Sequence, residues 1–223
     1  MQSSESQRPS DRSRAAAGIE PMAPAHIPGL VRLHELCYPT QFATRLGDDV
    51  LAIVYRAYCE DPNAVGLVSI VDGHVVAMVC GVIGGGFKGR MARRYGPALA
   101  WQLTRRLLRD PRPLSEIARR LAAAWRPDRR GMSGAHPRRF VWRSQMVHPE
   151  WRGRGAIFPL IVAMVEALRQ RGVEEIYSTP DEDNQAANWV HRVLKFERCG
   201  THVASHGKRQ SVFVLKLAGE QHS

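Results

Sequence analysis

Arg152-Gly153-Arg154-Gly155-Ala156-Ile157 joins a strand-like run, Phe140 to His148, to an apolar run of helical period. A glycine-rich strand-to-helix turn offers free backbone N–H groups and the positive end of a helix dipole, and Arg152 and Arg154 add full charges. Such a turn can hold a phosphate-bearing cofactor. Neither common nucleotide fingerprint is present, since the chain has no G-x-x-x-x-G-K-[ST] and no G-x-G-x-x-G opening a βαβ unit. A basic loop capped by glycines is the plainer reading of these residues alone, and the flanking elements decide between the two.

Those elements can be read from periodicity and turn signals. A helix is expected from about Ala156 to Gln170, with Gly172 ending it, then a short strand over Glu174 to Thr179. Asn184-Gln185-Ala186-Ala187 opens a second short helix that ends near Leu194. Upstream, a strand near Gly18 to Met22 precedes helices at about His26 to Leu36 and Asp48 to Glu60, the latter with Val50, Leu51, Val54 and Tyr58 on one stripe. Ala64 to Val71 and Val75 to Ile83 are β-prone, and Asp72-Gly73 between them signals a hairpin.

In this order and spacing, residues 139 to 217 resemble the GCN5-related N-acetyltransferase (GNAT) superfamily, whose phosphate turn reads Arg/Gln-x-x-Gly-x-Gly/Ala. Arg152, Gly153, Arg154 and Gly155 fit that pattern, whereas Ile157 stands where the family has a small residue. The family's Asn-x-x-Ala, Tyr and Gly-Phe fall on Asn184 with Ala187, on His191 and on Lys195-Phe196. The resemblance implies a mixed α/β (α+β-like) fold with a mostly antiparallel sheet splayed between its fourth and fifth strands. It also implies acetyl-CoA as co-substrate. The backbone of Gln145, Met146 and Val147 would pair with the pantetheine arm, residues Arg152 to Ile157 (with Gly153, Arg154, Gly155 and Ala156) would bind the pyrophosphate, and Asn184 would bond the cofactor arm. His191 takes the place of the family's general-acid tyrosine. The loop Cys37 to Gly47 would line the acceptor side, making His34, Tyr38 and Gln41 candidates to touch substrate. No base is assigned, because the fourth strand offers Ser144 and Gln145 where some members place a carboxylate, and Asp181, Glu182 and Asp183 read as a solvated loop.

Composition is compatible with one domain over residues 18 to 217, since 44% apolar content in 223 residues can build one core. Met1 to Ala17, rich in Ser, Arg, Gln and Pro and without an apolar core segment, reads as a disordered tail rather than a secretory signal, and residues 218 to 223 as a short C-terminal tail. No apolar run nears the roughly 20 residues that span a bilayer. Cys37, Cys59, Cys80 and Cys199 are scattered, which argues against a zinc site or a disulfide framework and for reduced thiols in a cytoplasmic protein.

Charge is concentrated in an insertion, residues 84 to 138, where the superfamily usually has a short turn between its third and fourth strands. Counted through Arg139, this stretch holds fifteen Lys and Arg against three Asp and Glu, enough to account for the whole chain's net +11. Leu99, Leu103 and Leu107 form one helical stripe and Leu114, Ile117, Leu121 and Trp125 another, so two basic amphipathic helices in a hairpin are expected. They could pack on the core, bind nucleic acid or an anionic membrane surface, or form a lid for an anionic acceptor hinged at Gly84-Gly85-Gly86. Trp101, Trp125 and Tyr95 fall at helical spacing among apolar residues, which favours packing over base stacking.

The resulting expectation is an N-acetyltransferase acting on a primary amine of a small acceptor, with an anionic acceptor or an amino sugar as candidates, by direct attack in a ternary complex. The alternatives are a non-catalytic CoA-binding or interaction module, and acyl transfer to protein or RNA docked on the insertion. A homodimer is compatible with this reading.

Overall fold

The computed structural model describes residues 18–109, 136–204 and 207–217. Seven strands form one sheet in the order β1-β2-β3-β4-β5-β7-β6. They are β1 Gly18–Pro21, β2 Ala64–Val71, β3 His74–Ile83, β4 Arg139–Val147, β5 Glu175–Ser178, β6 Glu197–Val203 and β7 Arg209–Lys216. All neighbouring pairs are antiparallel except β4 with β5. The described helices are α1 Ile27–Cys37, α2 Phe42–Leu46, α3 Asp48–Glu60, α4 Phe87–Arg109, α5 Ile157–Gln170 and α6 Gln185–Val193.

Local chemistry explains the hairpin that starts the sheet. Asp72 and Gly73 both take positive φ, 49° and 76°, as the two-residue turn joining right-twisted strands requires. β2 is buried along nearly its whole length, because helices cover both sheet faces and leave no side for polar alternation. On one face α5 buries Leu160, Ile161, Met164 and Leu168, a helical stripe packed on Phe140 and Trp142. Each such side chain contributes about 1.5–3 kcal/mol through removal from water. On the other face α1 and α3 cover β2 and β3, meeting Val68, Met78 and Met146. The α3 stripe differs by one position from the sequence expectation: Tyr55 and Ala57 are buried beside Val50 and Leu51, while Val54 is half-buried.

Part of the expected insertion forms α4, which is longer than its leucine stripe and runs through Pro97. Its first turns pack Phe87, Met91 and Tyr95 against Val141, Tyr177 and Val212, so the helix covers the α3-side face of β4, β5 and β7. Arg90 is paired with Asp61 at 2.7 Å, Arg94 with Glu60 at 2.5 Å, and Tyr95 donates to Glu60 at 2.5 Å. Some of the insertion's charge is therefore used internally. The second expected helix and both expected tails lie outside the described residues. Among the described residues no helix is long and apolar enough to cross a membrane.

Two irregularities in β4 shape the molecule's centre. β4 pairs with β5 only at Arg139, Phe140 and Val141, after which the strands part and open a splay. In the pairing with β3, Cys80 faces Ser144 and Gly81 faces Trp142, leaving Arg143 as the extra residue of a bulge. The bulge inverts the alternation, so that Trp142 faces α5 but Met146 faces α1. Gly81 is required there: a Cβ would lie 2.3 Å from the Val141 carbonyl oxygen and 2.4 Å from the Phe140 ring.

Candidate functional site

The anion turn is held at both ends. A short 3-10 helix, Pro149–Trp151, hangs from His148, whose Nδ1 accepts from the Glu150 N–H at 3.4 Å, and α5 begins at Ile157. Between them Gly153 and Gly155 adopt φ of 74° and 76°, while Ala156 is right-handed. A left-handed residue followed by a right-handed one turns successive N–H groups to the same side, which makes a concavity suited to an anion. Nothing lies within 4 Å of where a Cβ would stand on either glycine, so backbone conformation, not crowding, demands glycine. No side chain caps α5 and its first turn holds no acid, which leaves its N-terminus open to a negative group. Arg152 donates from Nε to the Val147 carbonyl at 3.3 Å, and Arg154 is exposed. Ile157 packs against the α5 core, so its β-branched side chain is accommodated there.

The splay exposes one backbone edge of β4. The His148 N–H bonds Val76, so by alternation the polar groups of Met146 also face β3 while those of Gln145 and Val147 face the splay. Their carbonyls accept from the α1 side: Tyr38 Oη donates to Gln145 at 2.9 Å, and Cys37 Sγ donates to Val147 at 3.3 Å. The Gln145 side-chain Oε1 is buried and unpartnered. The Met146 side chain is buried in the α1–α3 core, so only its backbone belongs to the strand edge.

Around this slot the other candidates separate. His34 Nδ1 lies 2.7 Å from Tyr55 Oη, with the imidazole edge-on to Tyr38 at 5.4 Å between centroids; its Nε2 is buried without a partner, and burial lowers its pKa. Burial also raises the Tyr38 hydroxyl to about 12, with the nearby Cys37 adding to the rise and Arg152 opposing it. Burial raises the Tyr55 hydroxyl as well, so both hydroxyls of this cluster stay protonated at neutral pH. Gln41 is exposed at the start of α2 and is not gathered with them. Asn184 caps α6, its Oδ1 accepting from the Ala187 N–H at 3.1 Å, which leaves its amide –NH2 to reach a ligand. Asp181, Glu182 and Asp183 are tied to the β6–β7 hairpin: Lys208 pairs with Asp181 at 3.5 Å and Asp183 at 2.9 Å, and Glu182 pairs with Arg198 at 3.0 Å and Arg209 at 3.2 Å.

His191 is not on an exposed helix face, being 3% exposed. Its ring stacks on Phe213 at 4.8 Å, meets Phe196 edge-on at 4.8 Å and lies 6.0 Å from Trp142, bridging β4 and β7 at the apex of the splay. Nδ1 stands 2.6 Å from the Ala187 carbonyl, an acceptor, so Nδ1 carries the hydrogen and the buried Nε2 holds a lone pair with no partner. Burial lowers its pKa against the opposing pull of that carbonyl.

The family model described as the acetyltransferase (GNAT) family matches residues 27–196. The chain belongs to the GNAT acetyltransferase family. It is accordingly an acyltransferase, and its reaction is acyl transfer from acetyl-CoA. No curated protein sequence matches this acetyltransferase. Solved structures share its fold at low identity. The ribosomal-protein-S18-alanine N-acetyltransferase from Escherichia coli is 10% identical over 93% of this chain and 99% of that one, with a TM-score of 0.57. A putative GNAT acetyltransferase from Desulfovibrio desulfuricans gives 12%, 91%, 100% and 0.58 for the same quantities. The PaiA N-acetyltransferase from Thermoplasma acidophilum, solved with coenzyme A, gives 7%, 90%, 99% and 0.56.

Sequence reasoning passed over two groups at the centre of this acetyltransferase: Tyr55 and Arg143. Tyr55 carried no signal beyond apolar patterning. Arg143 had one, because Phe140-Val141-Trp142 followed by Arg143-Ser144-Gln145 breaks the period-2 alternation of a strand and marks an irregularity.

Proposed function

We propose that this acetyltransferase transfers the acetyl group of acetyl-CoA to a primary amine of a small acceptor, by direct attack in a ternary complex. The observation that carries the reading is the adjacency of an open anion turn and an unpaired strand edge, tied by the Arg152 bond to Val147. Arg152, Arg154 and the backbone of Gly153 to Ile157 would hold the pyrophosphate, and the splay-facing N–H groups of Gln145 and Val147 the pantetheine arm. The Asn184 amide would reach the same arm. When bound, acetyl-CoA supplies an activated thioester: a C–N bond forms as the C–S bond breaks, and the thiolate regains the proton that the amine gives up.

The chain's own groups then position and exclude water. A splay-facing N–H on β4 would donate to the acyl oxygen as charge develops there. Tyr38 and His34 form the α1 wall of the acceptor space, with Gln41 at its rim. The Cys37 thiol donates to a strand carbonyl, which suits a structural rather than a nucleophilic role. For His191 we favour positioning over proton donation. Its N–H is engaged by Ala187 and its burial favours the neutral ring, so the acid role expected from its place in the family pattern requires a state this environment disfavours.

Isothermal titration with acetyl-CoA, beside a Gly155→Trp variant, tests the cofactor assignment. Micromolar binding lost in the variant supports it and justifies screening amines by thiol release. No binding at millimolar acetyl-CoA would overturn it.

A further inference from the structure

Arg143 is the extra residue of the β4 bulge and stands two positions beyond Val141, the last residue of β4 to pair with β5. It therefore occupies the apex of the splay, between Trp142 and the Gln145 carbonyl that Tyr38 holds. Its side chain is exposed. Its charge opposes the burial that raises the Tyr58 hydroxyl and lifts the Cys80 thiol to about 12, so the guanidinium lies on the α3 side of the sheet, the side from which Tyr38 and His34 wall the slot. Among the described residues it has neither a carboxylate within ion-pair distance nor a hydrogen-bond acceptor, unlike Arg90, Arg94, Arg138, Arg139 and Arg198, each of which is paired.

The bulge breaks the ladder and inverts the strand's alternation beyond Arg143. Without it, position 143 would still face α3, but Ser144 to Val147 would turn the opposite way. With it, one strand presents a cation toward α3 while keeping Met146 in the α1–α3 core. An unpaired guanidinium beside a reaction slot is a ready partner for a planar or tetrahedral anion, which it binds through parallel N–H donors.

Resting on the acetyl-transfer reading above, we infer that Arg143 is a specificity-determining residue that binds a carboxylate or phosphate carried by the acceptor, and that the acceptor is a small anionic primary amine. The Arg143 contact would fix the acceptor's anionic end at the apex of the splay and leave its amino group free to turn along the unpaired edge of β4.

Steady-state kinetics at saturating acetyl-CoA test this with matched acceptor pairs: an amino acid and its amide, and phosphoethanolamine and ethanolamine. Wild type should favour the anionic member of at least one pair, and which pair responds separates carboxylate from phosphate. In Arg143→Gln the KM for that anionic member should rise at least tenfold with kcat changed less than threefold, and the KM for its neutral partner should stay the same. Arg143→Glu should penalise the anionic member further. Arg56→Gln, at another exposed arginine on α3, controls for general loss of positive charge. Equal effects on charged and neutral acceptors would overturn the inference, and so would turnover on neither member of any pair while acetyl-CoA still binds. Failure to bind acetyl-CoA would instead sink the reading on which it rests.

Discussion

On the α5 side of the splay the inward-facing groups are backbone, namely the turn at Gly153 and Gly155, whereas on the α1–α3 side they are side chains: Tyr38, His34 and Arg143. Backbone groups need only a local conformation, so a short run of glycines and arginines is enough to create them. Side chains that converge from α1 and β4 need elements more than 100 positions apart brought together, and substituting any one changes the wall without changing the turn. The α5 side is thus suited to a ligand that does not vary, and the α1–α3 side to one that differs between related enzymes.

The largest expected break in this contrast comes from the backbone side. Gly155→Val forces a β-branched residue to φ near 76°, at a cost of about 1–2 kcal/mol. Acetyl-CoA affinity by titration should fall at least about tenfold while far-ultraviolet dichroism stays native. Unchanged affinity would mean that the turn does not hold the cofactor. Tyr38→Phe removes the donor to the Gln145 carbonyl, worth about 0.5–1.5 kcal/mol. Its kcat/KM should drop about fivefold with no change in acetyl-CoA affinity; a parallel loss of affinity would merge the two sides.

His191→Phe sharpens the comparison at the apex, where the two sides meet. The folded pKa of His191 lies below its ordinary value of 6.5, so below that pH the unfolded chain binds more protons than the folded one. The stability it contributes is present above about pH 6.5 and lost as pH falls through the folded pKa. A phenyl ring keeps the stacking on Phe213 and removes the unpartnered nitrogen, so the drop in Tm between pH 8 and pH 5 should be smaller than in wild type. Undiminished acid sensitivity would assign it to His34, whose pKa burial lowers in the same direction. A kcat near wild type supports positioning, and a collapse of kcat with native Tm would restore His191 as the proton donor.

The smallest effect is expected at Lys195, which adopts φ of 58° after α6 where the family pattern has glycine. Lys195→Gly should relieve that conformation and raise stability by up to about 1 kcal/mol, read as a small rise in Tm. A fall would show that the lysine side chain compensates for its backbone.

Much of the frame was legible because its signals are local. The Asp72-Gly73 turn, the strand Ala64–Val71, the helix Asp48–Glu60 and the Gly turn before α5 follow from residues within a few positions of one another. The described part of the insertion, α4, was legible as basic and helical, but the pairing of Arg90 and Arg94 with Asp61 and Glu60 joins residues some 30 positions apart. His191 shows the limit most plainly: its helix was found, yet its aromatic surroundings come from β4, from β7 and from Phe196 just ahead of β6.

The amino-acid sequence by itself determined the family, the order of the described elements apart from the short α2 inside the expected Cys37 to Gly47 loop, and the conformation of the anion turn, since periodicity, turn residues and glycine's access to positive φ act over short stretches of chain. Only the tertiary structure decided which side chains share the splay. The bulge at Arg143, the Tyr38 bond to Gln145 and the burial of His191 depend on strand register and helix packing, and those are set by contacts between residues far apart in the chain, such as Tyr38 with Gln145 and His191 with Trp142.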